Sequence, residues 1–447
     1  MLPANVDTIA AIATAQGRGG IGVIRLSGSA VPGIAQQLLG KLPTPRYANY
    51  SIFSDAQGTP IDQGIALYFV APHSYTGEHI LELQGHGGTA VLQLLLQRCL
   101  ELGARLAEPG EFTRRAFLNR KLDLAQAESV ADLIEASTAQ AARSAMRSLQ
   151  GEFSRAIHHL VDLLIDLRML VEAMIDFPEE DVDTLNIAQK QIKLATLIKE
   201  LAQVLHLSNQ GGLLRDGASV VLVGSPNVGK SSLLNCISGE DAALVSDIPG
   251  TTRDIIRQTI QIDGVPLHIL DTAGLRDSHD AIEQMGIART RSAILKADVI
   301  LILLDANRCS STTNQAILDE LPLNIPRLLV FNKIDLLNQF ERVEGCSGDG
   351  HIYLSAKTGA GVDCLKQKLL EKIGWHQETG VFLARERHVQ ALLIAQKHIQ
   401  NAANELHQTE LFAENLRLAQ VSLSSITGEF TADDLFGEIF SRFCIGK

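Results

Sequence analysis

Residues Gly224-Ser225-Pro226-Asn227-Val228-Gly229-Lys230-Ser231 combine two glycines, a lysine and a hydroxyl in the spacing GxxxxGK[ST]. That spacing suits one task. The glycines let successive backbone N–H groups face a polyphosphate, the lysine neutralises its charge, and the closing hydroxyl is placed for Mg2+. The required context is present: the apolar run Ser219–Val223 precedes the loop, and a helical pattern opens at Ser231-Ser232-Leu233-Leu234. Asn227, Val228, Gly229, Lys230, Ser231 and Ser232 are therefore expected to contact a nucleotide.

Three companion motifs follow in order. Asp271-Thr272-Ala273-Gly274 closes an apolar run, where a carboxylate can hold the Mg2+ shell and a glycine N–H can meet a γ-phosphate. Asn332-Lys333-Ile334-Asp335 closes another. A carboxylate at its fourth position can accept both the N1–H and the 2-amino group of guanine, a donor pair that adenine lacks. Ser355-Ala356-Lys357 completes the base pocket after the last such run. Each motif alone is weak, but four in this order on consecutive strand ends specify GTP. They resemble the nucleotide-binding elements of the translation-factor-like GTPases.

Ser246-Asp247-Ile248-Pro249-Gly250-Thr251-Thr252-Arg253-Asp254 occupies the position of a switch loop. One of its threonines should complete the Mg2+ shell, and Thr252 is assigned that role, although both Thr251 and Thr252 also suit an ordinary turn. Many regulatory GTPases carry a glutamine after the glycine of the Asp-x-x-Gly motif to orient the attacking water; here that position is Leu275. The water must be held otherwise. Glu283 is a candidate carboxylate, and Arg253 or Arg276 can offset charge, while all three equally suit solvated loop or helix positions.

These motifs need a scaffold of parallel strands. Residues 216–375 alternate continuous apolar runs with helical stretches, the pattern of a doubly wound α/β domain. Residues 1–118 alternate short strands (Thr8–Thr14, Ile21–Gly28, Gly64–Ala71, His79–Gln84) with turns and one helix, Thr89–Gly103, giving an α+β domain. Residues 119–215 turn helical, with Leu149, Phe153, Ile157, Leu160, Leu164, Leu167, Val171 and Met174 in one stripe that stops by Pro178. Helical periodicity returns over 376–447. The simplest arrangement is a multidomain α/β chain whose helical domain is interrupted by an inserted nucleotide domain.

Composition narrows the setting. The 447 residues carry a net charge of -12, which argues against a general nucleic-acid-coating surface. Cysteines at 99, 236, 309, 346, 364 and 444 show no CxxC or zinc spacing and read as reduced thiols. The N-terminus lacks the basic start of a signal peptide. The run from Val299 falls far short of the ~20 apolar residues of a membrane span, so a soluble, cytoplasmic protein is expected. Two motifs mislead. Gly17–Gly22 matches GxGxxG, but a strand follows where a dinucleotide fingerprint needs a helix, so the glycines should form a hairpin. Cys444-Ile445-Gly446-Lys447 puts a cysteine fourth from the end, but without the aliphatic residues or polybasic stretch of a prenylation signal.

Gly17–Gly28, Tyr75–Gly88, Arg114–Glu128, Gly250–Asp254, Asp271–Arg276 and the closing Cys-Ile-Gly-Lys together resemble the MnmE (TrmE) family of tRNA uridine-34 modification GTPases over the full length. That resemblance implies an N-terminal domain that binds 5-formyl or 5,10-methylene tetrahydrofolate through Arg25, Glu82, Lys121 and Lys447 and forms a homodimer. It implies K+-dependent pairing of the nucleotide domains, with Asn227, Ser246, Ile248 and Thr251 as K+ ligands, Ser231 and Thr252 as Mg2+ ligands, and Glu283 orienting water. It further implies Cys444 as a catalytic or intermediate-holding thiol, and an FAD-dependent (MnmG/GidA-like) partner with which a carboxymethylaminomethyl or aminomethyl group is built on C5 of the tRNA wobble uridine. The competing reading is a GTPase that docks on an assembly such as the ribosome, though residues 376–447 carry no basic GxxG loop or RNP-like aromatic motif.

Overall fold

The computed structural model describes residues 7–15, 17–176, 183–238, 257–271, 293–308, 321–337, 342–344, 351–378, 380–429, 439, 443 and 446. Its contacts group into two compact units, Met1–Ala131 with Leu149–Ile165 and Arg417–Lys447, and Asp132–Ser148 with Asp166–Leu416.

The first unit is built on a six-stranded sheet. Its strands are β1 (Ile9–Ile12), β2 (Gly19–Ser27), β3 (Asn49–Ser54), β4 (Pro60–Phe69), β5 (Ile80–Gly87) and β6 (Arg105–Leu106), in the order β3-β4-β5-β2-β1-β6. β1 and β2 pair antiparallel, and Gly19, Gly20 and Gly22 of the glycine-rich stretch lie within β2 itself, so a strand and not a helix follows Gly17. Because strand side chains alternate between faces, Ile24, Leu26, Leu81 and Leu83 bury against α1 (Val31–Leu39) and α2 (Thr89–Glu101), whereas Arg25 and Glu82 point the other way. That second face is partly covered by α3 (Glu111–Leu118), whose Phe112 joins Ile9, Ala11 and Ala107. The sequence pattern gives one convincing helix in this region, Thr89–Gly103. It passes over α1, which opens on Val31-Pro32-Gly33 yet places its proline in the first turn, where no N–H partner is needed. The short α3 overlaps the start of the stretch Arg114–Glu128, whose sequence marks a helix entry.

Beyond lie α4 (Leu124–Glu135), α5 (Ala139–Leu149), α6 (Glu152–Asp176) and α7 (Asp183–Asp216). Phe153, Ile157, Leu160, Leu164, Leu167 and Val171 of the expected stripe are buried along α6.

The second unit carries a seven-stranded sheet of β7 (Ala218–Gly224), β8 (Arg257–Ile262), β9 (Val265–Asp271), β10 (Val299–Asp305), β11 (Arg327–Asn332), β12 (Arg342–Glu344) and β13 (His351–Tyr353). The order is β12-β13-β11-β10-β7-β9-β8, parallel throughout except at the two edges. β10 is buried along nearly its whole length, as a strand covered on both faces must be. α8 (Lys230–Ser238) and α9 (Val362–Lys372) pack on one face through Leu233, Ile237, Leu365 and Leu369, beside Trp375. Two further helices follow, α10 (Glu386–Asn404) and α11 (Thr409–Thr427). The expected doubly wound sheet is present. β8 was not anticipated, although its turn is legible: Asp263 and Gly264 have φ of 47° and 83°, the paired positive values of a tight hairpin. Among the described residues, no helix is long and apolar enough to cross a membrane.

Candidate functional site

β7 ends at Gly224 and α8 begins at Lys230, so the phosphate loop occupies the turn between a central parallel strand and a helix N-terminus. Asn227 and Gly229 take positive φ of 59° and 102°, which aims successive backbone N–H groups inward. Gly229 is also a steric requirement, because a Cβ there would collide with the side-chain nitrogen of Asn332. Lys230 is buried under the loop, where its Nζ donates to Gly224 O at 2.8 Å and Ser225 O at 3.3 Å. Ser231 and Ser232 are exposed in the first turn of α8, where the helix dipole favours negative charge. This cradle can hold a polyphosphate and offer a hydroxyl to a divalent cation.

The base side is tied to the phosphate side by one buried amide. Asn332, at the end of β11, donates through Nδ2 to Val228 O at 2.9 Å and accepts through Oδ1 from Ala356 N at 2.9 Å. Asn332, expected at the nucleotide, thus also ties the phosphate loop to the Ser-Ala-Lys loop. Asp335 lies in a 3-10 turn (Ile334–Leu336), where its Oδ1 accepts the Ser355 hydroxyl at 2.7 Å. Lys357 is exposed beside them. Lys333 adopts φ 71° and places Nζ 2.8 Å from Asp305 Oδ2. Burial pushes the Asp305 carboxyl up, but hydrogen bonds from Lys333 and Asn307 outweigh it and hold the group below the usual carboxylate range. Sequence reasoning missed Asp305, whose signal is an acid closing the apolar run Val299–Leu304.

On the face of the six-stranded sheet that α3 partly covers, Arg25 and Glu82 are cross-strand partners, with Nη2 2.8 Å from Oε1. The Arg25 guanidinium lies 5.7 Å from the Tyr75 ring centroid and 5.8 Å from that of Phe112, a setting that holds a planar cation by both charge and stacking. Lys121 donates from Nζ to Pro72 O at 3.0 Å, and its stem runs beside Gly77. The closing motif is bracketed by described neighbours. Phe443 is buried with Leu124, Ala127, Ala131 and Ile439, and Gly446 packs so tightly on Ile12 O that a side chain there would collide. Ile12 ends β1, in which Ala11 is paired with Arg25.

The remaining expected residues lie outside the described side chains. These are Ser246, Asp247, Ile248, Pro249, Gly250, Thr251, Thr252, Arg253, Thr272, Ala273, Gly274, Arg276, Glu283, Cys444 and Lys447, with Asp271 described only as the last residue of β9.

A phosphate cradle at the end of β7, stapled to an Asn-Lys-x-Asp loop at the end of β11, the parallel strand on the far side of β10, defines a P-loop GTP-binding protein. The family profile described as the MnmE helical domain matches residues 124–444, and the one described as the N-terminus of GTP-binding protein TrmE matches residues 8–121. The chain belongs to the MnmE (TrmE) family. The tRNA modification GTPase MnmE of Nitrosomonas europaea is 59% identical over 447 residues, covering 99% of either chain. The protein of the same name from Neisseria meningitidis serogroup A is 58% identical over 445 residues, again covering 99% of each. That of Thiobacillus denitrificans is 58% identical over 447 residues, covering 100% of this chain and 99% of the relative.

Proposed function

We propose that this chain couples GTP hydrolysis to one-carbon chemistry at the wobble uridine of tRNA. It is a GTP-hydrolysing enzyme of tRNA modification, and the observation that carries the nucleotide half is the Asn332 amide bridging Val228 and Ala356. In this reading the loop N–H groups from Asn227 to Ser231 and the Lys230 ammonium take the phosphates. Asp335 reads guanine, and Ser355, Ala356 and Lys357 close the pocket around it. Ser231 and Thr252 would hold Mg2+, while Asn227, Ser246, Ile248 and Thr251 would hold K+. The exposed Asn227 and Ser231 side chains at the mouth of the loop suit those ions. When bound, the two cations supply positive charge where negative charge develops on the phosphates. Glu283 orients the attacking water, with Arg253 or Arg276 offsetting charge.

Arg25 and Glu82 support the folate half. Glu82 can accept two N–H donors from a pterin edge, and Arg25, Lys121 and Lys447 suit the carboxylates of a tetrahydrofolate. Gly446, seated on the end of β1, brings the closing motif to the strand paired with Arg25, consistent with Cys444 serving the same chemistry. The chain acts as a homodimer in the cytoplasm with an FAD-dependent partner. Together they place a carboxymethylaminomethyl or aminomethyl group on C5 of uridine 34.

Equilibrium titration of the full chain with 5-formyltetrahydrofolate tests this reading. Glu82→Gln should weaken binding at least about tenfold, because a charge-assisted acceptor is lost. Equal affinity of wild type and variant, or no binding by either, would contradict it.

A further inference from the structure

Asp305 closes β10, and neither the nucleotide motifs nor the family match gives it a role. Its carboxylate is divided between two duties. Oδ2 accepts from Lys333 Nζ at 2.8 Å, whereas Oδ1 accepts from Asn307 N at 3.0 Å and Asn307 Nδ2 at 3.2 Å. The Asn307 bonds fix the direction of the carboxylate, so the ion pair is aimed by the turn that follows the strand. Both partners are sheltered, with side chains 31% and 17% exposed for Lys333 and Asp305. The pair is therefore screened less than a surface pair would be.

Lys333 is where the chain needs holding. Its φ of 71° is left-handed, a region that a residue with a Cβ disfavours. That single reversal separates Asn332, which bridges the phosphate loop and the Ser-Ala-Lys loop, from Asp335, which takes the Ser355 hydroxyl. A displaced Lys333 would turn the Asp335 carboxylate away from any base seated between these loops.

We propose that Asp305 is a positioning residue for guanine recognition: by clamping Lys333 it maintains the left-handed turn that aims Asp335. It acts through Lys333 and touches no nucleotide. The inference rests on the reading of Asp335 as the guanine acceptor.

The test is equilibrium binding of GDP and of IDP, whose base lacks the 2-amino group, to the full chain. Asp305→Asn should weaken GDP about tenfold, roughly the value of one charge-assisted hydrogen bond, and weaken IDP less, so that the preference for GDP shrinks. In a Lys333→Gly background, where glycine takes positive φ freely, Asp305→Asn should change either affinity less than about twofold. An unchanged GDP/IDP ratio, or an equal effect in both backgrounds, overturns the proposal. Trp375 emission reports folding of the same unit. Should Asp305→Asn unfold, Lys333→Met reads the clamp from the other side, and an unchanged ratio there is equally fatal. Asp335→Asn is the control: if it leaves the ratio unchanged, the guanine assignment falls and this inference with it.

Discussion

Asp132 of α4 and Arg385, just ahead of α10, are 253 positions apart in sequence and meet at 2.7 Å. Arg215, near the end of α7, approaches the same carboxylate at 3.1 Å. Arg215 leads into the seven-stranded sheet and Arg385 leads out of it, so one acid, its side chain 3% exposed, ties together the two segments flanking the nucleotide domain. Nearby, Ser148 Oγ donates to Leu383 O at 3.2 Å and Thr138 Oγ1 donates to Gly264 O at 2.9 Å.

Asp132→Ala should destabilise this unit by about 3–5 kcal/mol, since two guanidinium groups lose a sheltered counter-charge. The single tryptophan, Trp375, is buried in the same core and reports the transition. Its urea midpoint should fall markedly. An unchanged midpoint would show that solvent replaces the carboxylate without penalty.

The first unit should be acid-sensitive. Glu111 is fully buried and is reached by Arg105 Nη2 at 2.6 Å and Arg115 Nη2 at 3.0 Å. Burial pushes its carboxyl up, but the two arginines and the Glu108 N–H outweigh it and hold it below the ordinary 4.5. Hydrogen bonding from Arg105 likewise lowers Asp7 below its ordinary 3.8, against the opposing effect of burial. A depressed carboxyl contributes stability that is fully present above its unfolded value and is lost as pH falls through the folded one. Stability of this unit should therefore decline below about pH 4.5. Glu111→Gln should cost about 3 kcal/mol at neutral pH and flatten the acid decline. Circular dichroism melts across that range provide the check, and an unaltered acid slope in the variant would exclude Glu111 as its source.

Cation dependence tests the role given to Asn227. GTP turnover should be faster in K+ than in Na+ at equal ionic strength, and Asn227→Ala should remove the difference while lowering the K+ rate about tenfold or more. Equal wild-type rates in the two salts would rule out a K+ ligand at this position.

What could be read from the chain alone follows from the range of the interactions involved. The phosphate loop was legible because backbone turn, charge and hydroxyl all lie within Gly224–Ser231. The parallel strands were legible because burial on both faces leaves continuous apolar runs such as Val299–Leu304. α1 escaped because proline and glycine at its start resemble a turn, and β8 because Arg257–Ile262 mixes polar and apolar residues at a sheet edge. Asp305 meeting Lys333, and Asp132 meeting two arginines, are ion pairs between distant segments that leave no local spacing to detect. The cross-strand contact of Arg25 with Glu82 depends on the register of β2 against β5, which composition does not specify.

Nucleotide turnover at this phosphate loop is proposed to drive modification of the wobble uridine, and changing the base that the enzyme reads isolates that coupling. Asparagine at position 335 presents N–H donors that match the C2 carbonyl of xanthine in place of the 2-amino group of guanine. With tRNA and the proposed FAD-dependent partner and methylene tetrahydrofolate supplied, Asp335→Asn should form modified uridine with xanthosine triphosphate and little with GTP. Modification by that variant at the same rate with either nucleotide, or with none, would show that turnover at this loop does not drive the chemistry.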